Sequence, residues 1–135
     1  MSWRSSFTIA VMLSVLSWCG GTMLVATSQA SAAGARVSFS KDVLPIFKDN
    51  CTSCHQAGAE GTQKSGLNLT NYEGVMAGTK YGPVIVPGNS EGSNLMWLLD
   101  WRASPELRMP HGKGQLPAQF RDTIRRWIQQ GAKNN

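Results

Sequence analysis

Two cysteines three positions apart, followed at once by a histidine, constrain this chain more than any other feature. The run is Cys51-Thr52-Ser53-Cys54-His55. It is the attachment pattern for a c-type haem, and the spacing has a chemical reason. Two intervening residues let a single turn present both sulfurs to one edge of a porphyrin. Each thiol then adds across a vinyl group and forms a thioether. The next residue falls beneath the iron, where an imidazole donates a ring nitrogen as the proximal ligand.

Other chemistries share part of the pattern. A Cys-X-X-Cys pair also serves as a redox dithiol or as half of a zinc site. Zinc would need two further ligands, and His55 and His111 are the two histidines of the chain. A thioredoxin-like dithiol would need a βαβ context, and no such pattern surrounds these residues.

The third cysteine, Cys19, belongs to a different region. Between Arg4 and Arg36 there is no Asp, Glu, Lys or Arg. This gap explains a charged fraction of 16%, against about 25% in an average soluble domain. Arg4 supplies a positive start, Phe7 to Ala26 is mostly apolar, and Ala30-Ser31-Ala32 suits signal peptidase. Residues 1–32 therefore read as an export signal and residues 33–135 as the mature domain, placed in the periplasm. The apolar run is also just long enough to cross a bilayer. An uncleaved inner-membrane anchor over residues 7–26 is the competing reading, weakened by Gly20, Gly21 and several Ser and Thr. Lipoprotein processing at Cys19 fails because the bulky Trp18 stands where a small residue is needed. Cleavage would remove Cys19 and leave Cys51 and Cys54, too few for a disulfide framework. A mature chain near a hundred residues buries only a modest core.

The mature part shows helical punctuation and no strand ladder. Ser40 is placed to cap a helix running to about Asn50, with Val43, Leu44, Ile46 and Phe47 as its apolar face and Pro45 forcing a start or a bend. Gln56 to Gly66 reads as loop. Thr70-Asn71-Tyr72-Glu73 matches a capping box and predicts a short helix over residues 71–77, ended by Gly78. Tyr81 to Asn94 is a loop constrained by Pro83, Pro87 and three glycines, and Val84-Ile85-Val86 within it is too short and too proline-flanked for a strand. Ser93 can cap the next helix, with Leu95, Leu98 and Leu99 on one side. A final helix starts at Pro117 and ends at Gly131. Along it Phe120, Ile124, Trp127 and Ile128 recur on one face, which predicts packing against the first helix.

These elements together resemble the small single-haem bacterial cytochrome c domains. The likeness rests on the Asp42 to Phe47 run before the haem motif, on Val86-Pro87-Gly88-Asn89-Ser90, on Arg108-Met109-Pro110-His111-Gly112, and on the ending Trp127 to Ala132. It covers about residues 39–132. The resemblance implies an all-α, cytochrome c-like fold of about four to five short helices around one covalent haem c, with crossing terminal helices and an electron-carrying role. One departure stands out. Many cytochromes c use a proline carbonyl soon after the motif to accept the proximal His N–H, and the first proline after His55 is Pro83. The partner that orients His55 is left open.

The distal ligand separates electron transfer from catalysis. Met76, Met96, Met109 and His111 are the candidates. Met109 precedes a proline in a loop between helices and matches the family's Met-Pro position, so the expected ligand pair is His55 and Met109. Thioether sulfur favours ferrous iron and raises the potential. Met76 and Met96 fall in predicted helices and read as core, and His111 reads as a solvated loop residue. The expected function is a single-electron carrier without substrate chemistry of its own. The alternatives are a peroxidase-like or gas-binding haem protein with an open distal site, and a haem subunit of a larger respiratory complex.

The net charge of +5 is not evenly spread. Arg102, Arg108 and Lys113 flank the Met109 loop, and Arg121, Arg125 and Arg126 lie on the last helix. A basic rim there would steer redox proteins with acidic docking faces. Nucleic acid is not an expected partner for an exported haem protein. A membrane is one only through an uncleaved N-terminus or a membrane complex.

Overall fold

The computed structural model describes residues 34–135. The export segment and the choice between cleavage and anchoring lie outside those residues. Five α-helices make up the described part: α1 (Leu44–Asn50), α2 (Glu60–Ser65), α3 (Tyr72–Ala77), α4 (Asn94–Leu99) and α5 (Ala118–Gln129). No strand occurs among the described residues, so the fold is all-α. No described helix is long and apolar enough to cross a membrane.

A π-helical turn, Phe39–Val43, leads into α1. Its cap is Ser38 rather than Ser40. The Ser38 hydroxyl accepts from Lys41 N–H at 3.3 Å, and the Asp42 carboxylate accepts from Ser38 N–H at 2.7 Å. Ser40 instead donates its hydroxyl to the Asn135 carbonyl at 2.9 Å, a contact between chain ends that local pattern does not reveal. Pro45 sits in the first turn of α1, where a missing N–H breaks no helical bond. Val43, Ile46 and Phe47 are buried as expected, and Leu44 is half-buried.

The terminal elements meet over an aromatic cluster. Phe39 lies 5.3 Å from both Trp127 and Tyr72, ring centre to ring centre. Tyr72 donates its hydroxyl to the Ala132 carbonyl at 2.8 Å. Val37 and Phe39 N–H groups bond to side-chain oxygens of Gln130 and Asn135 at 2.8 and 2.9 Å. Ile124, Trp127 and Ile128 are buried and Phe120 is half-buried. The expected face of α5 therefore packs on the turn that begins the first helix.

In the middle of the chain the expected helix after Thr70 is present, but its cap is Asn71, whose side chain accepts from Gly74 N–H at 2.7 Å. Thr70 turns its hydroxyl to Asn68. Gly78 ends α3 as expected. Ser93 does stand at the start of α4, yet its hydroxyl does not cap it. It is fully buried and holds the preceding loop, donating to Asn89 O at 2.7 Å and accepting from Val86 N–H at 2.9 Å.

The larger departure is α2, which falls inside the stretch read as loop. None of its residues is buried, so it carries no apolar periodicity. What holds it is polar. Thr62 N–H bonds to the Cys54 carbonyl at 3.0 Å and Lys80 N–H to the Ser65 carbonyl at 2.8 Å. The Lys64–Glu60 pair at 2.6 Å is fully exposed and adds little.

Candidate functional site

The motif follows directly on α1. Cys51 N–H bonds to Phe47 O at 2.8 Å, and His55 N–H to Cys51 O at 2.9 Å, so the Cys51–His55 run closes as one turn. Both thiols are free, Cys54 exposed and Cys51 half-buried. Burial pushes the Cys51 thiol up to about 11, against the nearby charge of Lys113. No three His, Cys, Asp or Glu side chains converge as a metal cage among the described residues.

His55 is buried at 9% exposure. Its Nδ1 faces the Leu67 carbonyl at 3.4 Å. This carbonyl occupies the role left open by the missing proline. With Nδ1–H donating there, Nε2 is the nitrogen available to a metal. Burial lowers the His55 pKa, and the Leu67 carbonyl opposes that by favouring the protonated ring. The net result is a neutral imidazole, the form that ligates. Leu69 N–H returns to the His55 carbonyl at 2.9 Å, so the buried, extended Leu67–Leu69 segment holds both the side chain and the backbone of the histidine.

Helix α2 closes this side. A Cβ at Gly61 would lie 2.7 Å from Cys54 O and 3.0 Å from His55 Cε1, so only a glycine lets the helix approach the imidazole this closely. The adjacent Thr62 donates its hydroxyl to the same Leu67 carbonyl at 2.8 Å.

Met109 is half-buried against the core. Its backbone is held twice by the end of α4: Met109 N–H bonds to Leu98 O at 3.2 Å, and Trp101 Nε1–H donates to Met109 O at 3.0 Å. Trp101 has φ +58°, a left-handed conformation that costs an L-residue about 1–2 kcal/mol. It occupies the position just past the end of α4 where glycine is usual. The two closing bonds of that motif are present, Arg102 N–H to Trp97 O at 3.0 Å and Trp101 N–H to Leu98 O at 3.3 Å. Strain of this kind persists where the surroundings over-determine it. Here the indole is aimed at the Met109 carbonyl.

The segment after Met109 returns towards the motif. Lys113 is close enough to act on Cys51. His111 lies close enough to Glu60 to help lower its carboxyl, though the Lys64 ammonium is the larger cause. His111 itself is exposed, Met76 is half-buried and Met96 is fully buried.

The arginines divide. Asp100, with its side chain 12% exposed, receives Arg125 at 2.9 Å and Arg121 at 2.8 Å. Arg102 and Arg125 also reach Glu91 at 2.8 and 3.2 Å. Three of the expected rim cations are thus engaged inside the molecule. Arg108, which lies over the Trp101 ring at 5.4 Å, and Lys113 have no carboxylate partner among the described residues.

Sequence reading proposed Cys51, Cys54, His55 and Met109, and it did not single out their structural neighbours Gly61, Thr62, the Leu67 carbonyl and Trp101. Gly61-Thr62 carries a faint signal, a small residue next to a hydroxyl shortly after the motif. A carbonyl carries none, and nothing in sequence marks a tryptophan for a left-handed turn.

The donor set suits a haem c. Two unpaired thiols lie on one turn, a neutral buried imidazole has one nitrogen engaged and the other available, and a glycine leaves room beside the ring. Residues 51–111 match the family model described as Planctomycete cytochrome C. The matched span begins at the first motif cysteine and ends two residues past Met109, taking in both halves of the site. No curated protein matches the chain.

Proposed function

We propose that this chain, whose residues 51–111 match the Planctomycete cytochrome C family model, is a haem-binding electron-transfer protein and an exported carrier of single electrons. In this reading one haem c is attached through Cys51 and Cys54, with His55 and Met109 as axial ligands. The haem supplies the redox chemistry, gaining or losing one electron at iron. The chain holds it and sets its potential. His55 is kept neutral by burial and aimed by the Leu67 carbonyl. Met109 has both of its backbone groups bonded, which limits how far the loop that carries the ligand moves. A ligand that stays in place keeps reorganisation small.

The observation that carries this reading is the Met109 backbone anchored to Leu98 and to the Trp101 indole. Arg108, Lys113 and Arg126 are the cations of that rim left for an acidic redox partner. Residues 1–32 are read as the export signal, and N-terminal sequencing of the exported protein should begin near Ala33.

The test is the absorption spectrum of protein matured with c-type haem. A far-red iron–sulfur charge-transfer band in the ferric form, with sharp ferrous bands, is the expected result. A high-spin spectrum with tight carbon monoxide binding would overturn it in favour of an open-site haem enzyme or sensor. A low-spin spectrum without the band would assign the distal position to His111.

A further inference from the structure

We infer that Thr62 sets the donor strength of the proximal histidine by sharing the carbonyl to which that histidine donates. The inference rests on the reading of His55 as an iron ligand and goes beyond it.

The Thr62 hydroxyl has its partner outside its own helix. Ser and Thr in helices ordinarily turn their hydroxyl back to the carbonyl four residues earlier. In this molecule Ser65 and Thr123 do so, at 2.6 and 2.9 Å. Thr62 lies within α2 and points forward instead, out of the helix, to Leu67 O at 2.8 Å. The same oxygen faces His55 Nδ1 at the longer distance of 3.4 Å. Thr62 is held in place for this by its own N–H, bonded to Cys54 O at 3.0 Å. The residue therefore links the motif turn to the carbonyl that orients the imidazole.

A carbonyl that accepts two donors gives less to each. When the second ring nitrogen of a metal-ligating histidine donates strongly, the ring becomes more basic and supports the higher oxidation state. The Thr62 hydroxyl competes for that acceptor and keeps the Nδ1–H bond long. The imidazole stays a weaker donor, which favours the ferrous state and a higher potential. Thr62 is a positioning residue, acting on iron only through Leu67 and His55.

The test compares Thr62→Val, which keeps the shape and loses the hydroxyl, with Thr62→Ser, which keeps the hydroxyl. Both are matured with haem and poised at the potential where the parent is half reduced. Thr62→Val is expected to shift several-fold towards the oxidised form, with haem content and the far-red band unchanged. The His55 Nδ1–H proton resonance of its reduced form should move downfield, as a strengthened hydrogen bond requires. Thr62→Ser should match the parent in both. If Thr62→Val does not accumulate, Thr62→Ala gives the same readouts. An unchanged or raised potential in the hydroxyl-free variant, or a Ser variant displaced as far as Val, would overturn the inference while leaving the electron-carrier reading intact. A parent protein that matures without haem, or without a histidine ligand, would overturn that reading and the inference with it.

Discussion

The two sides of the site are built by different means. On the proximal side, His55 is held by groups close in sequence: the Leu67 carbonyl twelve residues on, the neighbouring Leu69 N–H, and α2, docked through Gly61 and Thr62. On the proposed distal side, Met109 hangs from the end of α4, and α4 is tied to α5 by Asp100 across separations of 21 and 25 residues. One side is a local fold around the proposed attachment turn. The other is a tertiary assembly carrying a strained Trp101. A local scaffold forms with little loop-closure cost, whereas a distant one forms only once the helices have packed. The distal ligand should therefore be the first to loosen.

Removing the two axial side chains in turn gives the largest contrast. His55→Ala is expected to abolish the low-spin haem spectrum and to cut covalent haem per chain. Met109→Ala should retain covalent haem, lose the far-red band, lower the potential and open the iron to carbon monoxide. Equal loss of haem from both variants would erase the proposed difference. Gly61→Ala probes the proximal side alone. Its Cβ would force the Cys54 carbonyl or the His55 ring to move, and overpacking of this kind costs about 1–3 kcal/mol. Urea unfolding should show that loss, with a lower yield of attached haem.

Trp101 offers a smaller and more discriminating break on the distal side. Trp101→Phe deletes the N–H that reaches Met109 and keeps the left-handed strain, for a loss of about 1 kcal/mol. Trp101→Gly deletes the same bond but relieves a comparable strain, so its thermal midpoint should stay nearer the parent. Both should weaken the far-red band. A Gly variant that keeps the full band would show that the indole does not position Met109.

The contrast also explains what sequence could reveal. Cys51, Cys54 and His55 were legible because thioether chemistry dictates their spacing. The apolar face of α5 was legible because a buried stripe repeats with the helical turn, and Ile124, Trp127 and Ile128 are buried as that stripe requires. Helix α2 was not, because it buries nothing and is held by backbone carbonyls of other segments. The caps at Ser38 and Asn71 were each displaced from the residue that local pattern favoured. For Ser40 the reason is a bond to Asn135 at the other end of the chain. Basic residues could be counted but not sorted. Only the packed α4 and α5 show that Arg102, Arg121 and Arg125 face carboxylates while Arg108 and Lys113 do not.

Acid should separate the two sides by the smallest margin. Burial alone would raise the Asp100 carboxyl, but hydrogen bonds from Arg125 and Arg121 outweigh it and hold the group below its ordinary value. A carboxyl with a depressed folded pKa contributes stability that is fully present above its unfolded pKa, near 3.9. The contribution is lost as pH falls through the lower folded value. Asp100 is the residue before Trp101, and Glu91, Arg102, Arg121 and Arg125 surround it. Its protonation therefore loosens the end of α4 that carries Met109, while the Leu67 carbonyl facing His55 does not titrate. Below about pH 4 the far-red band is expected to fade while haem stays attached. In Asp100→Asn the band should be weaker at neutral pH and respond less to acid. A band that fades identically in parent and Asp100→Asn would place the acid-sensitive group elsewhere and remove this link between α5 and the distal ligand.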